Sequence, residues 1–144
     1  MKKIILSLVG AAMLVFGFSS CQHQTMESME VTIYSDDWVV PNGKSYLACS
    51  VRWDALDEDV VYHGTVNAYV YEENGRQSML PYVYSIDFST YDEFGNNINP
   101  AFVTENLRFE VAPGIITFIM QDFDYKLPEG DIPKMTFRVV AIGE

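Results

Sequence analysis

The sequence predicts an all-β fold, a sandwich of about seven antiparallel strands with one short helical connector. Three observations lead there. Apolar and polar residues alternate with period two in one segment after another from residue 29 onward. Glycine, proline and Asn-Gly turn signals separate these segments at spacings of about 8–12 residues. One segment alone, 54–64, carries helix signals, and it is long enough for about two turns. A closed barrel is the other arrangement such strands allow.

Taken in order, "MEVTIYS" at 29–35 sets Met29, Val31 and Ile33 against Glu30, Thr32 and Tyr34, a half-buried strand. "WVV" at 38–40 extends it past a bend at Asp36-Asp37, and Pro41-Asn42-Gly43 is a turn. "SYLACSVRW" at 45–53 is the second strand. In "DALDEDVVYHG", 54–64, Asp54 caps the connector, Asp57 to Asp59 suit the positive end of its dipole, and Gly64 ends it. "VNAYVYEE" at 66–73 places Val66, Ala68 and Val70 on one face and Asn67, Tyr69 and Tyr71 on the other. Asn74-Gly75 tolerates positive φ at both positions and predicts a type I′ hairpin.

The returning strand is "QSMLPYVYSIDF" at 77–88. Pro81 cannot donate to a ladder, which places that strand at an edge or on a bulge. "TYDEFGNNINPAF" at 90–102 has no steady period and reads as a long loop. "NLRFEV" at 106–111 turns through Ala112-Pro113-Gly114 into "IITFIMQDF" at 115–123. A loop at 125–134 leads to the last strand, "MTFRVVAI" at 135–142.

The N-terminal end obeys different rules. Lys2 and Lys3 precede an uncharged apolar stretch from Ile4 to Phe18, the length of a signal h-region and short for a membrane span. Phe18-Ser19-Ser20-Cys21 resembles the lipobox of bacterial lipoproteins, with Phe18 where that motif usually has leucine. The resemblance implies cleavage before Cys21, lipidation of its thiol and stable anchoring once two or more acyl chains are attached. It divides the chain into a signal peptide at 1–20, a tether at 21–29 and a sandwich domain at 30–144. It also implies an exported protein, lipid-anchored to the outer membrane on its periplasmic or surface face.

Removing the leader leaves 124 of the 144 residues, one domain by length, and loses Lys2 and Lys3, taking the net charge from −11 to −13. Such a charge excludes nucleic acid as a partner and opposes adhesion to anionic lipid. With Cys21 lipidated, Cys49 has no cysteine to pair with and reads as a small apolar strand residue.

The features "YSDDWV", "DEDVVYHGTVNAYVY", "LPY" and "TFRVVAI" together resemble a group of small secreted bacterial lipoproteins of unknown function, across most of residues 30–142. That resemblance implies an immunoglobulin-like sandwich and carries no activity.

Catalytic chemistry finds little support. His63 is the one histidine within the domain; it can reach Asp59 only if the connector is helical, and no nucleophile motif accompanies it. The expectation is a protein that is not an enzyme and needs no cofactor. Zinc lacks ligands. Calcium has weak candidates in Asp122, Asp124 and Asp131, with no EF-hand spacing. Aromatics are abundant, and Tyr69, Tyr71, Tyr82 and Tyr84 flank one hairpin, with Tyr91 and Phe94 in the loop that follows. Their ordinary role is to fill or cover a sheet. Exposed, they suit sugar rings or protein surface. The expected function is a binding or structural module working through residues 64–104, with a carbohydrate- or calcium-dependent accessory module as the alternative.

Overall fold

The computed structural model describes residues 24–123, 128 and 132–143. The leader 1–20, Cys21, Asp124 and Asp131 lie outside the described residues. Ten strands are found among those described: β1 (Thr25–Ile33), β2 (Leu47–Arg52), β3 (Thr65–Tyr71), β4 (Gln77–Met79), β5 (Tyr82–Asp87), β6 (Thr90–Tyr91), β7 (Asn97–Asn99), β8 (Phe102–Ala112), β9 (Ile115–Asp122) and β10 (Met135–Gly143). One sheet has the order β1-β10-β3-β4, the other β2-β9-β8-β5, and β6-β7 form a separate ribbon. Every pairing is antiparallel.

The two four-stranded sheets face each other as a β-sandwich and share one core. Period two builds it. Ile116, Phe118 and Met120 of β9 lie in register with Val111, Phe109 and Leu107 of β8 and with Val51, Cys49 and Leu47 of β2. From the opposite sheet, Val31, Phe137 and Val70 form one inward row, and Met29, Val139 and Ala68 the next. Phe118 and Phe137, both wholly buried, stack across the gap with centroids 4.3 Å apart. Each large apolar side chain so buried stabilises the fold by about 1.5–3 kcal/mol.

The connector is a helix, α1 (Glu58–His63), but Asp57 rather than Asp54 caps it: the Asp57 carboxylate accepts the Val60 N–H at 2.8 Å. Residues 54–56 instead form a brace under the β8–β9 turn, where the Gly114 N–H donates to the Leu56 carbonyl. Gly64 ends α1 as expected, and closely: a Cβ there would lie 2.3 Å from the Ile142 carbonyl oxygen.

Elsewhere the structure departs from expectation for local reasons. β1 starts at Thr25, inside the segment read as a tether, because β10 supplies partners as far as Gly143. After a single 3-10 turn at Ser35–Asp37, Val39 bridges Ala48 of the opposite sheet instead of extending β1. The Asn74-Gly75 hairpin closes as a three-residue loop, Glu72 bonding to Arg76, with Gly75 at φ 79°. The 77–88 strand is two strands. Leu80-Pro81, a cis peptide, is the corner where the chain leaves the first sheet and enters the second. The 90–102 loop holds the β6–β7 ribbon.

The registers define two poles roughly 30 Å apart, taking about 3.3 Å per residue along the nine-residue β1. Thr25, Gly143, α1 and the β8–β9 turn occupy one. The β3–β4 hairpin, the end of β9 and the β6–β7 ribbon occupy the other.

Candidate interaction surface

The ribbon is the outward continuation of the β5–β8 pair. Asp87 faces Phe102, the Phe88 N–H donates to the Ala101 carbonyl, and Thr90 and Tyr91 pair with Asn99 and Asn97. The register shift leaves Ile98 as a bulge. Residues 88–101 therefore form an arm projecting past the sandwich.

Its tip is tightly built. The Gly95 N–H donates to the Asp92 carbonyl, the Asp92 N–H to the Asn96 carbonyl, and Gly95 takes φ 81°, which no β-branched or bulky residue adopts readily. The Asp92 carboxylate accepts the N–H groups of Phe94 and Asn96 at 2.9 and 2.8 Å and the Asn96 side-chain amide at 2.9 Å. Those hydrogen bonds, the Asn96 side chain first, hold its pKa below the ordinary carboxylate value. The same closure recurs at Glu72–Arg76, but here the turn presents Phe94, which is 81% exposed.

At the arm's root an aromatic surface continues onto the outer face of the second sheet. Alternation puts Asp87, Phe102 and Thr104 on that face. The Phe123 N–H donates to the Thr104 carbonyl, which brings Phe123 beside Phe102 on the diagonal. Tyr91 lies on the same side, since its hydroxyl donates to Asp87 at 2.5 Å. Tyr91, Phe102 and Phe123 are 50%, 63% and 73% exposed. Asp87 also accepts the Ser89 N–H at 2.8 Å, and the hydrogen bonds from Ser89 and Tyr91 lower its pKa.

The four hairpin tyrosines do not share one stripe. Tyr69 and Tyr71 point outward from the first sheet, opposite the buried Ala68 and Val70. They cover it: the Arg138 guanidinium sits 6.0 Å from the Tyr69 ring centre, and the Tyr71 hydroxyl donates to Glu30. Tyr82 and Tyr84 lie on β5 in the other sheet, half-buried against the core, their rings stacked at 5.7 Å. A cavity of about 480 Å³ opens between the sheets at this pole, with Tyr71, Tyr82, Tyr84, Leu107 and Met135 in its wall.

Asp122, the described member of the calcium candidates, closes β9. It is 7% exposed, on the inner face, in register with Glu105, and the Tyr84 hydroxyl donates to Glu105. Burial first, then the charge of Asp122, raises the Glu105 pKa. Among the described residues no cluster of three or more Asp, Glu, His or Cys is placed to hold a metal. His63 does reach Asp59, 3.1 Å away on α1, with both side chains exposed. Cys49 is half-buried, and burial raises its thiol pKa, an effect to which Asp37 adds. No helix among the described residues is long and apolar enough to cross a membrane.

Compared with known protein families, curated proteins and solved structures, the chain matches none. The contribution of Asp87, Phe102 and Phe123 escapes a linear reading, because a cross-strand pair and a diagonal bring them together. One signal for it exists: from Ser78 to Leu107 the chain carries four acidic residues and no lysine or arginine.

Proposed function

We propose that this protein is an exported lipoprotein, held at the outer membrane by a lipidated Cys21, that presents a non-enzymatic binding surface on the 88–101 arm. The observation that carries the reading is Phe94, 81% exposed on a turn locked by Asp92. A large apolar side chain held in water on an ordered turn contributes nothing to folding, and its order lowers the cost of binding. Position supports the same reading. Cys21 precedes β1 by a few residues, and β1 begins at the pole opposite the arm. An anchored domain would hold the arm away from the lipid.

Two measurements test this. Palmitate labelling is expected in the wild type and lost in Cys21→Ala; an unlabelled wild type removes the anchor. A photocrosslinking amino acid at Phe94 in intact cells is expected to trap a discrete adduct, while the same group at Tyr62, 68% exposed on α1, traps none. Equal trapping at both positions, or none at either, defeats the arm. The tyrosine-walled cavity favours a second reading, a glycan-binding module, because sugar rings pack on aromatic faces. Glycan-array signal abolished by Tyr82→Ala would support it, and a silent array would remove it.

A further inference from the structure

We infer that the outer face of the second sheet at the arm's root docks an arginine-bearing, positively charged protein segment, with Asp87 as the guanidinium's ionic partner and Tyr91, Phe102 and Phe123 as apolar walls. The inference rests on the binding role proposed for the arm and gives it a partner chemistry.

Three observations converge. The first is the carboxylate's geometry. Oδ1 of Asp87 accepts from the Ser89 N–H and Oδ2 from the Tyr91 hydroxyl. The Ser89 hydroxyl bonds to the same carboxylate, and since a carboxylate offers about four acceptor positions, about one remains for an incoming N–H. A guanidinium can donate to that acceptor while its plane lies against an aromatic ring, a combination a compact lysine ammonium matches less well. The second is the surroundings. Phe102 is the direct cross-strand neighbour of Asp87, and Tyr91 bonds to it; an arginine seated there would lie against exposed rings, which favour a planar cation.

The third is charge. The segment 78–107 has no base, and Arg108, the next base along the strand, is engaged by the Gln121 side chain at 3.2 Å and the Tyr46 ring at 5.4 Å. A second copy would set acid against acid, since the chain carries a net charge of −11, and an anionic bilayer would do the same. A basic protein segment is the complement.

The test uses the full-length protein in detergent and labelled twelve-residue peptides alternating valine with arginine, lysine or glutamate, read by fluorescence anisotropy. The arginine peptide is expected to bind, the lysine peptide about fivefold more weakly, and the glutamate peptide not at all. Raising salt from about 50 to 300 mM is expected to weaken the arginine complex about tenfold. Asp87→Asn and Phe102→Ala should each weaken it about tenfold, equal to about 1.4 kcal/mol, with the far-UV circular dichroism of the folded protein unchanged. Asp59→Asn, which removes the same charge at the other pole, should leave affinity within about twofold. Absence of arginine-peptide binding, equal lysine and arginine affinities, or equal losses in Asp59→Asn and Asp87→Asn would overturn the inference. Failure of the Phe94 crosslink in cells defeats the binding role itself; a Phe94 adduct unaffected by Asp87→Asn defeats only the partner chemistry.

Discussion

Phe137 and Phe94 are the same residue used in opposite ways. Phe137 has no exposed surface, faces Phe118 across the sandwich and lies beside Val31 and Val70 in register. Phe94 is 81% exposed and rests on a loop whose order comes from one aspartate. The core is held by non-directional burial distributed over two sheets; the arm is held by directional hydrogen bonds to exposed groups. The two regions should therefore respond differently to truncation and to pH.

Truncating the core should have the largest effect. Phe137→Ala is expected to lower stability by about 3–5 kcal/mol, measured by urea unfolding, because both sheets lose a shared contact and a cavity remains. A loss as small as that of an exposed site would mean the sheets do not share a core. Next, Asp57→Ala should cost about 1 kcal/mol through the lost cap on α1, visible as a shifted urea midpoint with an unchanged slope.

The titratable groups sharpen the contrast. Glu105 is buried near Asp122 and its pKa is raised. The folded state holds that proton to higher pH than the unfolded chain, so its contribution to stability falls as pH rises from the ordinary carboxylate value through the folded one. Glu105→Gln keeps an acceptor for the Tyr84 hydroxyl, and should remove that decline and raise Tm at pH 7 by about 2–4 °C. On the arm the sign reverses. Asp92 has a lowered pKa, so its hydrogen bonds persist above the ordinary carboxylate value and are lost as pH falls through the lower, folded one. Acid should speed amide exchange at Phe94 and Asn96 before it affects β9 or β10. The smallest effect belongs to the tip: Phe94→Ala should change global stability by less than about 0.5 kcal/mol while removing the cellular crosslinking target.

Much of the sandwich was legible along the chain. Ala68 and Val70 alternate with Tyr69 and Tyr71 in the sequence and alternate between inside and outside in the fold. Gly64 ends α1, and Pro113-Gly114 joins β8 to β9. What escaped were features requiring two segments at once. The helix cap moved to Asp57 because Leu56 was needed beneath Gly114. Pro81 became a corner between sheets, which no single-strand pattern distinguishes from an edge. The 90–102 stretch paired with itself although its polar residues alternate with nothing, since the order of β6 and β7 comes from the Asp92 turn and the ladder behind it.

By itself, the order of residues determined most of the strands, most of their turns and the acidic balance. Each follows from interactions among neighbours in the chain or from a sum over it. Tertiary structure alone decided that Tyr69 and Tyr71 cover one sheet while Tyr82 and Tyr84 line the other, that Asp122 is buried opposite Glu105, and that Phe102, Phe123 and Asp87 meet on one face. The physical reason is that strand pairing joins residues distant in sequence, and a register decides which of them become neighbours.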